Sequence, residues 1–128
     1  SQKPSGRIAV CGPTTLLPAD IDQMGVQVCL HPEEVIPDAD VIIDLRLQKE
    51  RQQQMLLPSL REYAVYYGIN AERLKRAKPG VIVMHPGPIN RGVELNPDVA
   101  DGPHSVILDQ VTNGVAVRMA LLYLVSQK

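Results

Sequence analysis

Apolar residues along the chain occur in short continuous runs, separated by segments whose apolar positions recur at helical spacing. Four runs have the length and aliphatic content of strands, at residues 7–11, 26–30, 41–45 and 81–84. Residues 105–107 predict a fifth, very short strand. Strands that are apolar on both faces and alternate with helices are typical of a parallel sheet covered on both sides. The pattern therefore predicts an α/β, doubly wound (Rossmann-like) fold with about four to five parallel strands.

Helical spacing fills the segments between these runs. The predicted helices cover residues 17–24, 31–36, 59–67, 70–77 and 108–125. Pro18 suits the first turn of the first of them, and Asn70 suits an N-cap. One face of the last helix carries the apolar residues Leu108, Val111, Val115, Met119 and Leu122. Gly114 interrupts this helix at a cost of about 1 kcal/mol relative to alanine, which suggests close packing there.

Composition narrows the class of protein. The 128 residues suit one compact domain, and a core without Phe or Trp must be aliphatic. A net charge of −1 argues against nucleic-acid binding, and no apolar run approaches the roughly 20 residues of a membrane span. Residues 1–6 are polar, so no secretory segment is expected there. Cys11 and Cys29 lie in apolar contexts, which predicts buried free thiols in a reducing, cytoplasmic location.

Ligands of open α/β sheets bind beyond the carboxyl ends of the strands. Residues 11–15 lack the glycine pattern of a dinucleotide site, and a lone His31 before a proline is typical of a turn. Residues 46–51, in contrast, place three cations, a carboxylate and an amide directly after a strand. Arg46 and Gln48 are two residues apart, so an extended chain points both side chains the same way. A guanidinium beside a carboxamide predicts a receptor for a carboxylate.

Two interpretations of this charged segment stay open. In the first, Glu50 pairs with Arg46 or Arg51 and holds the guanidinium of the receptor in place. In the second, the segment is the solvated start of a helix, because runs of charge commonly lie at the surface.

The sequence His-Pro-Gly-Pro-Ile-Asn-Arg-Gly-Val-Glu at residues 85–94 follows another apolar strand. Two prolines around a glycine make a stiff loop with fixed carbonyl directions, which suits the binding of N–H groups. The Gly87–Pro88 bond is a candidate for cis geometry, and Arg91 adds a cation. No element is evident in residues 85–104, and long loops of this kind are typically functional. The His residues are too far apart for a metal site, and no serine has the context of a catalytic triad.

Three motifs together resemble a known family. They are residues 46–51, residues 85–94, and Asp-Gln-Val-Thr-Asn-Gly-Val-Ala-Val-Arg-Met-Ala at residues 109–120. In this order they resemble bacterial-type aspartate carbamoyltransferase catalytic chains, over nearly the whole sequence. The related ornithine enzymes have a cysteine where this chain has Pro86. The resemblance is to the second, aspartate-binding domain of that family.

The resemblance implies carbamoyl transfer from carbamoyl phosphate to the α-amine of L-aspartate, in pyrimidine biosynthesis, with no cofactor, no metal and no catalytic side chain. The substrate-binding residues that it implies are Arg46, Gln48, Pro86, Gly87 and Pro88, with a cis Gly87–Pro88 bond. The residues expected to lie behind them and orient them are Glu50, Arg51, His85 and Arg91. Residues 90–94 would belong to a mobile loop that closes over the substrate.

The same resemblance implies what the chain lacks. Residues 1–128 are expected to form a single aspartate-binding domain, without the carbamoyl phosphate domain and without the domain's own first strand–helix unit. The expected partners are that second domain or other catalytic chains, which form a homotrimer in the family, and the chain alone is expected to be inactive. The alternative is a non-catalytic or engineered truncated relative that keeps the fold as a binding module. A nucleotide-binding Rossmann domain is disfavoured because the glycine pattern is missing.

Overall fold

Four short parallel strands form the framework of the described part of the domain. The computed structural model describes residues 6–48 and 59–127. The strands are β1 (Ala9–Cys11), β2 (Gln27–Cys29), β3 (Val41–Ile43) and β4 (Ile82–Met84). Each lies inside a run that the sequence predicts, which confirms an α/β architecture with parallel strands. Residues 105–107 do not form the predicted fifth strand, because only Ser105 bridges to Val83 before a helix begins.

The strands pair in two separate sheets. β1 pairs with β2, and β3 pairs with β4, both in parallel. The described residues therefore do not form the single sheet of four to five strands that the sequence predicts. A groove of about 900 Å³ is lined by residues of β1 and β3, among others. The physical reason is that no described segment forms hydrogen bonds to both β1 and β3. The edges of β1 and β3 that line the groove therefore have no described strand beside them.

Helices connect and cover the strands. They are α1 (Leu60–Tyr66), α2 (Ala71–Leu74), α3 (Pro97–Ala100) and α4 (Ile107–Ser126). The Ser59 hydroxyl accepts a hydrogen bond from the N–H of Glu62, and Asn70 Oδ1 accepts one from the N–H of Arg73, which confirms Asn70 as an N-cap. α3 lies inside the long segment for which no element is evident in the sequence.

The two short helices predicted before β2 and before β3 are wrong in type. The structure has single 3-10 turns there, at Thr14–Leu16, Ile21–Met24, Pro32–Glu34 and Ile36–Asp38. Gly25, in a left-handed conformation with φ 72°, ends the turn at Ile21–Met24, and Pro37 has no N–H with which to continue a helix from Pro32–Glu34.

The core lies between β4, α3 and the start of α4. Val83 and Leu95 are fully buried there and pack with other aliphatic residues, Ile36, Ile69, Val99, Ala100 and Ile107. The remainder of α4 is exposed, and the predicted apolar face (Leu108, Val111, Val115, Met119, Leu122) is not covered by the described residues. Among the described residues, an alanine Cβ at Gly114 would have no neighbour within 4 Å, so these residues do not provide the close packing expected there. None of the described helices has the length and apolar content to cross a membrane.

Arg73 ties the segment after β2 to the end of α1. Its Nε donates to Glu33 Oε1 at 2.7 Å, and its two other nitrogens donate to the carbonyls of Val65, Tyr66 and Gly68. Carbonyls at the end of a helix have no partners within the helix, so a guanidinium is well suited to them. Arg73 thus fixes the position of the backbone at residues 65–68.

Gly68 is placed where only a glycine fits. A Cβ there would lie 2.5 Å from the Val93 carbonyl oxygen and 2.6 Å from that of Ala64. We predict that Gly68→Ala lowers the free energy of unfolding by about 3 kcal/mol, because both close atoms are backbone. The matched control, Gly114→Ala, should raise it by about 1 kcal/mol through helix propensity. Urea unfolding followed by circular dichroism measures both, and equal effects would contradict the close approach.

Candidate substrate site at the ends of β3 and β4

The parallel pairing of β3 with β4 brings the two predicted segments together. The N–H of Asp44 donates to the carbonyl of Met84 at 3.0 Å, which continues the pairing past the ends of both strands. Residues 46–48 and 85–88 therefore start side by side at the same edge. Arg46 is partly buried, whereas Gln48 is exposed. This edge is the position at which open α/β folds bind ligands.

A hydrogen bond to the buried His85 holds the loop at residues 86–88 in one shape. The Gly87–Pro88 bond is cis, as predicted, and Gly87 has a φ of 64°, a left-handed conformation that glycine adopts readily. The N–H of Gly87 donates to Nδ1 of the fully buried His85 at 2.7 Å. Since Pro86 and Pro88 have no N–H, the loop presents carbonyls in fixed directions, which agrees with the sequence-based expectation.

A buried carboxylate that the sequence interpretation missed lies beneath this loop. Glu94 is fully buried, and its Oε1 lies 3.4 Å from Nε2 of His85. The same oxygen accepts a hydrogen bond from the N–H of Asn90 at 2.6 Å. Burial of a carboxylate is tolerated when hydrogen bonds and a polar partner compensate it. Glu94 therefore belongs to the internal support of the site.

Asn90 connects the two segments directly. Its Nδ2 donates to the carbonyl of Leu47 at 2.9 Å, between Arg46 and Gln48. Residues 90–95 are further closed by hydrogen bonds from Val93 N–H to the carbonyl of Asn90 and from Gly92 N–H to that of Leu95. The mobility expected of residues 90–94 stays a prediction.

Of the remaining predicted site residues, the structure describes Arg91 but not Glu50 or Arg51. Arg91 is exposed and forms a two-point ion pair with Asp101, at 2.6 and 2.9 Å. Its predicted role behind the substrate-binding residues stays a prediction, and the pairing with Asp101 was not expected. Glu50 and Arg51 lie outside the described residues.

Asp44 carries the largest electrostatic perturbation at this edge. Burial, together with the negative charge of Glu94, raises the pKa of its carboxyl group from 3.8 to about 7, against a backbone hydrogen bond from Leu45 that lowers it. Burial, with the charge of Asp44 as a further cause, also raises the pKa of the nearby Tyr63 hydroxyl. A carboxyl group next to a predicted carboxylate receptor is thus kept partly neutral near pH 7, which reduces its repulsion of an incoming anion.

The cysteines lie on the other pair of strands, where Cys11 and Cys29 are register partners across β1 and β2. Both thiols are free, as predicted; Cys29 is buried as predicted, whereas Cys11 is only partly buried. Burial, and next the proximity of Cys29, raises the pKa of the Cys11 thiol to about 11. A raised pKa makes a thiol a poor nucleophile at neutral pH. Among residues 6–48 and 59–127, no three His, Cys, Asp or Glu side chains group as metal ligands would.

The missed residues have a weak signal in the sequence. Asp44 stands between Ile43 and Leu45, and Glu94 stands between Val93 and Leu95, so each is a single charge inside an apolar run. Such positions indicate burial, and a buried charge indicates a partner. The partner itself, however, cannot be read from spacing, because His85 is related to Glu94 by the fold of the loop.

The described residues form a parallel α/β domain in which the cation–amide segment, residues 46–48, lies next to the stiff carbonyl loop, residues 86–88. This arrangement is typical of a substrate-binding domain. The chain matches the family described as "Aspartate/ornithine carbamoyltransferase, Asp/Orn binding domain" over residues 16–125. The chain therefore belongs to this family. The match includes every predicted site residue.

Relatives and solved structures narrow the similarity. The aspartate carbamoyltransferase catalytic subunit of Syntrophobacter fumaroxidans is 68% identical over 127 residues, covering 99% of this chain and 42% of the relative. That of Syntrophus aciditrophicus is 63% identical over 119 residues, covering 93% and 39%. The crystal structure of aspartate transcarbamoylase from Trypanosoma cruzi with carbamoyl phosphate and aspartate is 32% identical, with a TM-score of 0.71, covering 91% of this chain and 40% of that one. The chain thus spans about two fifths of the length of these proteins.

The raised pKa of Asp44 predicts a particular pH dependence of stability. The folded state holds this proton up to about pH 7, whereas the unfolded state releases it near 3.8. The contribution of Asp44 to stability is therefore fully present below that lower value and is lost as the pH rises to about 7. Asp44→Asn should remove this loss, so that the variant gains stability over the parent as the pH rises.

Urea unfolding at about pH 4.5, 6 and 8 measures the difference between variant and parent. The matched control is Asp22→Asn, because Asp22 is exposed in a 3-10 turn. The control should change stability little at any of these pH values. A constant difference between Asp44→Asn and the parent would contradict the burial of an ionisable Asp44.

Proposed function

We propose that this chain is the aspartate-binding domain of an aspartate carbamoyltransferase. The observation that carries the proposal is the hydrogen bond from Asn90 Nδ2 to the carbonyl of Leu47, which joins the cation–amide segment to the carbonyl loop. Because one hydrogen bond joins the two segments, a small ligand with two carboxylates and an amine can contact both of them. The similarity to catalytic subunits named for aspartate supports the choice of amino acid.

The residues divide the recognition of L-aspartate between them. Arg46 and Gln48 bind carboxylate oxygens, the guanidinium through two N–H groups and the amide through one. The carbonyls of residues 86–88 accept from the N–H groups of the amine and of the carbamoyl group. His85 holds this loop through its bond to Gly87. Glu50, Arg51 and Arg91 are proposed to orient the binding groups from behind.

The chemical step that we assign to the complete site needs no nucleophilic side chain. The aspartate amine attacks the carbonyl carbon of carbamoyl phosphate, a new C–N bond forms, and the C–O bond to phosphate breaks. Phosphate leaves with the electron pair of that bond, and the amine loses one proton. Catalysis then consists of holding the two reactants in line and stabilising charge. The cation of Arg46 and the fixed loop carbonyls are suited to the aspartate half of this task.

We further propose that the sheet is doubly wound when complete, with one more parallel strand between β1 and β3. Backbone N–H and C=O groups alternate between the two sides of a strand. The carbonyl of Ile8 accepts from β2, and Asp40 and Asp44 bond to β4. The backbone groups of Ala9, Cys11, Val41 and Ile43 must therefore point the other way. Residues of both edges line the groove, which supports a strand as its occupant.

The complete enzyme is proposed to need partners. Carbamoyl phosphate would be bound by a second domain or by another catalytic chain, in a homotrimer of the kind that the family resemblance implies, in the cytoplasm. The solved relative with both carbamoyl phosphate and aspartate bound is about two and a half times as long as the matched region, which supports a second binding domain. We expect no turnover by the 128-residue chain alone.

Binding by the chain itself tests this function. We expect saturable, weak binding of L-aspartate, detected by isothermal titration calorimetry, together with no release of phosphate from carbamoyl phosphate. Arg46→Ala should weaken binding about tenfold to a hundredfold, because a charge-assisted pair is lost. The matched control, Arg76→Ala, removes an exposed arginine next to α2 and should leave the affinity unchanged.

Two outcomes would contradict the proposal. Turnover without an added carbamoyl phosphate domain would show that the site is not divided as described. Absence of L-aspartate binding would favour a purely structural module that keeps the fold.

A further inference from the structure

We propose that Asn90 and Glu94 are positioning residues that set the separation between the two halves of the aspartate site. The halves are the receptor segment, residues 46–48, and the carbonyl loop, residues 86–88. This inference rests on the proposed function for its meaning, but its geometry stands on the contacts alone. The contacts form a series of partly and fully buried groups from α4 to the receptor segment, joined by hydrogen bonds except where the side chains of His85 and Glu94 face each other at 3.4 Å.

This series of contacts begins at α4. Gln110 Oε1 accepts a hydrogen bond from the backbone N–H of His85 at 3.0 Å, and His85 Nδ1 accepts one from Gly87 at 2.7 Å. Because Nδ1 is an acceptor, a neutral imidazole carries its hydrogen on Nε2. That atom faces Glu94 Oε1 at 3.4 Å. The ring therefore stands between the carbonyl loop on one side and a carboxylate on the other.

Glu94 passes this placement on to Asn90. Its Oε1 accepts from the Asn90 N–H at 2.6 Å, while its backbone carbonyl accepts from the N–H of Ile69 at 2.8 Å. The Ile69 bond anchors Glu94 to the segment that Arg73 and Gly68 hold in place. The backbone carbonyl of Glu94 and its Oε1 atom are thus both hydrogen-bonded, and a carboxylate with no solvent exposure has few alternative positions.

Asn90 completes the connection. With its N–H held by Glu94, its Nδ2 donates to the carbonyl of Leu47, which is 43 residues away in sequence and is buried. Arg46 and Gln48 flank this carbonyl, so its direction fixes where their side chains leave the backbone. A shift of Asn90 would therefore move the receptor segment relative to the carbonyl loop.

The experiment uses the full 128-residue chain and two readouts. Backbone amide signals from ¹H–¹⁵N spectra report local structure without ligand, and calorimetry gives the dissociation constant for L-aspartate well below the melting temperature. The main variant is Asn90→Ala. The matched control is Asn96→Ala, because Asn96 precedes α3 without a side-chain hydrogen bond to the helix.

For Asn90→Ala we expect displaced amide signals at Leu47 and Gln48, and a dissociation constant raised about tenfold, which corresponds to one net hydrogen bond. Asn96→Ala should change neither readout, although it can lower the melting temperature. A role in stability alone would lower the melting temperature of Asn90→Ala and leave the affinity at its parent value, and that result would overturn the proposal.

Glu94 is tested by retaining or removing its acceptor. Glu94→Gln keeps an oxygen for the Asn90 N–H, whereas Glu94→Ala does not. The glutamine variant should bind L-aspartate several-fold more tightly than the alanine variant, and equal affinities would overturn the role of Glu94. If the parent chain does not bind L-aspartate, the proposed function fails. The amide signals of Leu47 and Gln48 then still decide whether Asn90 couples the two segments.

Discussion

The carboxylate of Glu94 has no solvent exposure, and the edge formed by β3 and β4 can keep its shape only while that charge is compensated. The N–H of Asn90 donates to one carboxylate oxygen, Oε1, which also faces the imidazole of His85 at 3.4 Å, whereas Oε2 accepts no hydrogen bond from the described residues. An uncompensated carboxylate in such a position would cost several kcal/mol, which is a large share of the stability of a small domain. The carboxylate therefore holds residues 85–94 in one shape, and this loop is joined to distant segments through Asn90, which bonds Leu47, and through the backbone of Glu94, which bonds Ile69.

Local patterns explain which parts of this structure were predictable. The apolar runs identify all four strands, and the Pro-Gly-Pro sequence, with the family resemblance, identifies a stiff loop with a cis bond. These features depend on backbone chemistry that each residue carries by itself. The surroundings of Asp44 depend on which strand lies beside which, and the partners of Glu94 depend on how the loop at residues 85–94 folds; neither can be read from the spacing of residues along the sequence. The 3-10 turns were missed because helical spacing over a few residues does not distinguish the two helix types.

The separation into two sheets was also not predictable, because it depends on which elements lie next to each other. Val41 and Ile43 are apolar, and so is the outer face of α4, yet both are substantially exposed among the described residues. An apolar pattern shows which face of an element avoids water; it does not show what covers that face. The sequence therefore predicted the four described strands and the long helix correctly, but it also predicted a fifth strand at residues 105–107 that the structure does not have, and it overestimated how far these elements cover one another.

A reaction that depends on alignment shifts the demand on the protein from reactive groups to distances. For the proposed carbamoyl transfer, a displacement of about 1 Å between the amine and the carbonyl carbon would cost a large part of the rate. Surface side chains are poor spacers because they retain rotamer freedom, whereas buried, hydrogen-bonded groups have lost it. The path from Gly87 through His85, Glu94 and Asn90 to Leu47 consists of three hydrogen bonds of 2.6 to 2.9 Å and one contact of 3.4 Å, between the fully buried His85 and Glu94. It is therefore the part of the domain best suited to keep a carboxylate receptor and a carbonyl loop at a constant separation.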